Sequence, residues 1–252
     1  MSWASRRRAL YLLGLIVALA IIIGVPTYFF FHEEPTCTDG IQNGLEDGVD
    51  CGGECTVICS FSAADAITQW SRLFNIVPGV YSALALIENP NATVGAVDVP
   101  YSFKLRAADN VLVYEKKGVV SLPPKSTIPL FEPGLQTGAR VPTRVEFILG
   151  SPVWVRQEPT TRDISVRSQK VENATSSPVV SAIVRNDTTS PVGAFAAVAI
   201  LYDVDGNAMQ ASRTIIDGLD ARAETRVVFT WPQPLAGPVA RIDVVPVFSD
   251  PF

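Results

Sequence analysis

Histidine is almost missing from this sequence: His32 is the only one, and it ends an apolar run near the N-terminus. A domain folded from the residues beyond it lacks the commonest general base. That excludes His-based triads and His-ligated zinc. No cysteine follows Cys59, so cysteine nucleophiles are excluded from the same region. Basic charge is also short, with 20 Lys and Arg against 25 Asp and Glu, a net charge of −5. Nucleic-acid binding wants a basic stripe, and none is present. There is no G-x-S-x-G, no P-loop and no dinucleotide fingerprint. Charged residues make up only 18% of the 252 positions and hydrophobic ones 48%, which describes a folding chain. The 17 glycines and 19 prolines point to turns and short strands more than to long helices.

One stretch is fully apolar. Ala9 to Phe31 contains no charge, and about 20 such residues suffice for a helix to cross the hydrocarbon layer. Arg6, Arg7 and Arg8 precede it, and Glu33 and Glu34 follow. The basic flank stays cytoplasmic, so the remainder is expected outside. Trp3, Tyr11 and Tyr28 fall near its ends, where amphipathic rings prefer the headgroups. The expectation is a single-pass anchor. The alternative is a cleaved signal peptide cut after Ala18-Leu19-Ala20, which would leave a greasy stub.

All four cysteines, Cys37, Cys51, Cys55 and Cys59, lie within 23 residues. In an exported chain they read as two disulfides, with three connectivities open. Their gaps do not form the paired C-x-x-C knuckles of a zinc site. Between them Asp39, Asn43, Glu46, Asp47 and Asp50 offer hard oxygens at short intervals. Gly40, Gly44, Gly48, Gly52 and Gly53 let the backbone turn tightly. Calcium takes six to eight such oxygens, although the spacing is not that of an EF-hand. The segment resembles the Cys-x-Asp-Gly-x-x-Asn-Gly motif of many exported bacterial proteins, which is similar to the calcium loops of thrombospondin type 3 repeats. That resemblance implies calcium at these five residues. Leu45-Glu46 stands where the motif has Asp-Glu, with Asp47 one place later. The other reading of the segment is a disulfide-stapled acidic spacer.

The rest repeats itself. Val80–Asn89 recurs as Val179–Asn186, Val94-Gly95-Ala96 as Val192-Gly193-Ala194, and Arg144–Phe147 as Arg241–Val244. Offsets near 97 indicate a duplicated unit. Val97, Val99, Tyr101, Phe103 and Leu105 alternate with mostly polar residues, the period of a half-buried strand, and Pro100 predicts an edge or a bulge there. Phe195–Tyr202 is apolar on both faces, and Asp203–Asn207 reads as a turn. Ala63–Phe74 allows a short helix or a lead-in strand. Strands at this spacing predict immunoglobulin-type sandwiches. The second copy resembles FxLyD-type domains of exported prokaryotic proteins: Leu201-Tyr202-Asp203 and Asn186 match, and Ala199 takes the Phe position. The resemblance implies a fold and no catalytic residues.

Trp154, Trp231, Tyr101 and Phe131 read as core more readily than as an aromatic ligand surface. The sequons at Asn91, Asn173 and Asn186 read as turn residues. Carboxylates such as Asp203, Asp205, Asp217, Asp220 and Asp243 read as solubilising turn and edge groups.

The expectation is thus an all-β chain: two tandem immunoglobulin-like β-sandwiches after one transmembrane helix and a small disulfide-rich loop. Its divisions are a cytoplasmic tail (1–8), the transmembrane helix (9–31), the neck (32–60) and two sandwiches (61–158 and 159–252). The expected role is that of a non-catalytic, membrane-anchored extracytoplasmic protein that binds or scaffolds an envelope or protein partner, with calcium as its cofactor. The alternatives are a structural stalk or self-assembling envelope component and, remotely, a carboxylate-based envelope glycosidase.

Overall fold

A computed structural model describes residues 3–31, 35–158 and 163–248. His32, Glu33 and Glu34 lie outside the described residues. The chain divides into two compact units, Met1–Cys55 and Thr56–Phe252.

In the first unit, helix α1 runs Trp3–Phe31, and within its span Ser5–Phe29 the most apolar 18 residues have a mean hydropathy of 2.6 with none of them buried. At 1.5 Å per residue, 25 residues reach roughly 37 Å, enough to cross a bilayer core. Pro26 removes one backbone donor from the helix, and the Thr27 hydroxyl donates to the Ile23 carbonyl beside it. The loop that begins at Pro35 has almost wholly exposed side chains.

The second unit is all antiparallel β. Its first half holds β1 (Ile67–Val77), β2 (Val80–Asn89), β3 (Val94–Arg106), β4 (Leu112–Leu122), β5 (Ser126–Gln136), β6 (Arg144–Leu149) and β7 (Val155–Arg156). Its second half holds β8 (Ile164–Glu172), β9 (Val179–Asn186), β10 (Phe195–Tyr202), β11 (Ala208–Ile216), β12 (Glu224–Thr230) and β13 (Arg241–Val247). The sheets are ordered β1-β2-β5 and β4-β3-β6 in the first half, with β7 on β3, and β8-β9-β12 and β11-β10-β13 in the second. The first six strands of each half follow one connectivity.

Each half closes over its own core. Tyr81, Ala83, Ala85 and Ile87 of β2 meet Val99, Phe103 and Leu105 of β3. Val180, Ala182 and Val184 of β9 meet Ala197, Ala199 and Leu201 of β10. A third core joins the halves, with Phe74, Leu84 and Phe131 packed with Val198, Ile200, Tyr202 and Ala211. The middle strands β2 and β10 of the sheets β1-β2-β5 and β11-β10-β13 therefore bury both faces, which is why Phe195–Tyr202 carries no polar side. At the margin of this seam Trp70 stands edge-on to Tyr202 at 6.4 Å, and the Arg241 guanidinium lies 4.0 Å over the Tyr202 ring. Arg72 Nη2 donates to Asn207 Oδ1 at 2.9 Å.

The duplication extends to one buried side chain. Asn89 Nδ2 donates to the carbonyls of Val94, Leu122 and Pro123, while its Oδ1 accepts from the Asn91 backbone. Asn186 Nδ2 donates to the carbonyls of Ser190, Leu219 and Asp220, and its Oδ1 accepts from Thr188. Positions 89 and 186, 91 and 188, and 122 and 219 are all 97 apart. Asn89 reaches forward five residues and Asn186 four, so the first half has one extra residue in this loop. Between β3 and β10 the offset is 96, and it returns to 97 beyond them: Phe103 pairs with Phe147 as Ala199 pairs with Val244. Val94-Gly95-Ala96 and Val192-Gly193-Ala194 are accordingly not equivalent, because Val94 answers to Ser190.

Two local expectations resolve by pairing. Ile67–Val77 is a strand, so the helix alternative for Ala63–Phe74 is set aside. Pro100 lies in the central strand β3, not at an edge. A register shift between Ala96 and Val99 precedes it, and the β6 ladder begins only at Tyr101. The position thus loses no bond to β6.

All residues of the three cores lie between Ile58 and Phe248, so a fragment 35–252 keeps every core contact and is expected to fold alone. In that fragment Asn186→Ala, and separately Asn89→Ala, removes three donated hydrogen bonds and leaves the backbone N–H of Thr188 or Asn91 without its acceptor. Each is expected to destabilise by roughly 2–4 kcal/mol. For a unit of this size that lowers Tm by about 5–15 °C, read by calorimetry against the parent.

Candidate functional site

The neck is organised by its staples and its carboxylates. Cys37 and Cys55 are bonded with Cα atoms 5.7 Å apart, which selects one of the three connectivities. Cys51 and Cys59 are disulfide-bonded as well, and no cysteine is free. Closing a loop of this length stabilises by about 3 kcal/mol in the chain-entropy account, useful where little apolar surface is buried.

Four of the five expected ligands come together. Asp39 Oδ2 accepts from Asn43 Nδ2 at 2.8 Å, and its Oδ1 accepts from the Ile41 N–H at 2.9 Å. Glu46 Oε2 accepts from the N–H groups of Asn43 and Asp50, both at 3.3 Å. Asp50 takes the Gly40 N–H between its two oxygens, at 3.1 and 3.0 Å. Asp39, Asn43, Glu46 and Asp50 are thereby linked in a ring. The Asn43 amide, followed by the Ile41 N–H, holds the Asp39 carboxyl below the ordinary carboxylate range.

Asp47 is turned elsewhere: its Oδ2 accepts from the Gly53 N–H at 2.8 Å. That approach needs two glycines in the left-handed region. A Cβ on Gly52 would fall 2.4 Å from Asp47 Oδ2, and one on Gly53 would fall 1.6 Å from the Leu45 carbonyl oxygen. Thr36 and Gln42, not singled out from the sequence, join the network. Thr36 donates to Asp39 Oδ2, and Gln42 Nε2 donates to the carbonyls of Glu46 and Asp47. Both stand at unspecified positions beside the motif, so no pattern marked them.

One polar atom in the ring lacks a partner. Asn43 Oδ1 is buried and accepts no hydrogen bond. It is a hard oxygen, of the kind a hard cation takes. The carboxylate oxygens of Asp39, Glu46 and Asp50 do not all lie within 4.8 Å of one another, whereas the ligand-type atoms of Cys37, Glu46 and Cys55 do. The two sulfurs of that grouping are spent in the disulfide, so it lacks the thiolates that a soft metal takes.

The sandwich residues have structural employment. Trp154, Trp231, Tyr101 and Phe131 are all buried. Asp203 Oδ1 caps its turn through the N–H groups of Asp205 and Asn207 at 2.9 and 2.8 Å, and Asp243 pairs with Arg241 at 3.2 Å. Of the three sequon asparagines, Asn186 is fully buried, and Asn91 Nδ2 donates to the Ala64 carbonyl and Asn89 Oδ1. Asn173 sits exposed in a turn with φ of 53°.

Replacing Gly53 with alanine is expected to displace the Asp47 carboxylate and the Leu45–Glu46 backbone together. The readout is faster amide exchange across residues 45–53 in fragment 35–252, with exchange in β2 and β10 unchanged.

Neither a protein-family model nor a curated protein sequence matches this chain. Among solved structures, red sea bream transglutaminase aligns at 11% identity with a TM-score of 0.26, covering 74% of this chain and 31% of its own. A Bacteroides fragilis protein assigned as a beta-galactosidase aligns at 12% identity with a TM-score of 0.20, covering 68% of this chain and 32% of its own. The chain spans about a third of the length of each, and at these scores neither likeness bears on fold or activity.

Proposed function

We propose that this chain is a single-pass membrane protein of the cell envelope that holds a non-catalytic β body outside the cytoplasm for binding or scaffolding a partner. The observation that carries the reading is α1: 25 residues from Ser5 to Phe29, of which the most apolar 18 have a mean hydropathy of 2.6 and no buried side chain. Such a surface is stable only in lipid or against a partner. Arg6, Arg7 and Arg8 at its start favour a cytoplasmic N-terminus. The disulfides of the neck agree with an oxidising compartment on the other side. The two β halves, read as immunoglobulin-like modules, would offer loops and sheet faces to the partner.

The neck in this reading takes one calcium ion. Asp39, Asn43, Glu46 and Asp50 would hold it, and the free acceptor of Asn43 supports the choice of a hard, oxygen-seeking cation. Calcium would supply charge neutralisation and a stiffer junction, with no chemistry beyond that. Asp47 serves the Gly53 turn in this arrangement.

Two measurements test the parts separately. In cells, the full chain is expected to stay with membranes after alkaline washing, with an intact mass that includes residues 1–20 and a body cut by protease added outside. A mature N-terminus at Ile21, or release into the soluble fraction, would overturn the anchor. In titration calorimetry, fragment 35–252 is expected to bind one calcium ion, with the heat lost in the Asp39→Ala, Asp50→Ala double variant. Equal absence of heat in parent and variant would make the neck a disulfide-stapled spacer.

A further inference from the structure

A groove of about 820 Å³ opens between the two halves of the β body. The first half lines it with β4 residues, the Pro123-Pro124 corner and the whole run Ser126–Glu132 of β5. The second half contributes the start of β10, Arg213 and Ile215 of β11, and Pro246 to Phe248. The volume lies within the roughly 300–1,000 Å³ typical of small-molecule sites. Its apolar lining includes Val119, Ile128, Leu130 and Ile215, and two of these stand open to water: Val119 is 59% exposed and Ile215 61%. Large exposed aliphatic side chains facing one concavity are unusual on a soluble surface unless something covers them.

Four charged side chains line the groove: Asp98, Lys125, Glu132 and Arg213. Glu132 accepts from the Tyr101 hydroxyl and has Lys116 Nζ at 3.9 Å. Arg213 acts on the Tyr101 hydroxyl through its charge, and among the described residues it makes no hydrogen bond or ion pair. A guanidinium over an apolar trough is complementary to an aliphatic body ending in an oxyanion, which it can grip with two parallel bonds.

The backbone argues against an extended polypeptide as occupant. β5 is an edge strand, and so is β13. Strand addition needs a row of donors along such an edge. Pro129 and Pro133 interrupt it in β5, and Pro246 does so in β13. Proline on an edge strand blocks pairing.

We propose that the groove between the two halves is a binding site for a medium-chain aliphatic carboxylate. The alkyl chain lies along Val119, Ile128, Leu130 and Ile215, and the carboxylate is held by Arg213. The site uses side chains of both halves, so neither half contains it alone. It is independent of the neck and of the anchor.

The test titrates decanoate into fragment 35–252 by calorimetry, with decyltrimethylammonium as the probe of opposite charge. One decanoate per chain is expected to bind, and the cationic amphiphile is expected to give no saturable heat. Arg213→Gln is expected to weaken decanoate binding by about tenfold, and Ile215→Asp to abolish it. Both side chains are exposed, so both variants are expected to melt like the parent, which separates loss of binding from loss of fold. Absence of decanoate binding to the parent overturns the proposal. Equal affinity for the two amphiphiles, or unchanged decanoate affinity in Arg213→Gln, overturns it as well.

Discussion

The β body depends on the seam where Phe74, Leu84 and Phe131 meet Val198, Ile200, Tyr202 and Ala211. Burying a large aliphatic or aromatic side chain contributes about 1.5–3 kcal/mol, and this seam buries a set of them that neither half could cover alone. It turns what would be two modules on a string into one stack of four sheets. It also dictates composition. The middle strands β2 and β10 must be apolar on both faces, and on the faces turned away from the seam they carry buried alanines at 83, 85, 197 and 199. The groove exists because the seam does, since the margins of the two sheets that the seam brings together form its walls along with β4 of the neighbouring sheet.

Within each half a buried asparagine does for the loops what the seam does for the sheets. Asn89 and Asn186 each donate to three backbone carbonyls, and they tie the end of one sheet to the turn leaving the other. A buried amide is tolerated only when its donors and acceptor are paired, and here they are paired the same way twice. The repetition of this bonding is firmer support for internal duplication than the sequence matches, one of which, at Val94 and Val192, pairs residues that the fold does not equate.

The neck follows a different rule. It buries few side chains, so its shape comes from covalent staples and from carboxylates that accept backbone N–H groups. The same oxygens that would bind calcium are those that order the loop: Asp39, Glu46 and Asp50 each accept main-chain donors. An ion would therefore enter a loop that is already turned for it.

Much of this was determined by the sequence itself, where the signal is local. The apolar run of α1, the cysteine cluster, the alternation in Val99–Leu105 and the Asp203–Asn207 turn all rest on interactions within a few residues. Val97, expected on the same face as Val99, is exposed because the register shift between Ala96 and Val99 breaks the alternation there. Other features were out of reach for stated physical reasons. β5 was hidden because Pro129 and Pro133 speak against a strand, although an edge position tolerates them. The alternation of Val97–Leu105 could not reveal that β3 is central, because both neighbours come from later in the chain. The disulfide connectivity was open because four cysteines so close together satisfy any pairing. Apolarity on both faces of Phe195–Tyr202 fitted any covered strand, and only the packing of β10 against Leu84 and Phe131 shows what covers it. The groove was beyond sequence reasoning altogether. Val119, Glu132, Arg213 and Ile215 become neighbours only when three sheets come together, and nothing in a linear order encodes that proximity.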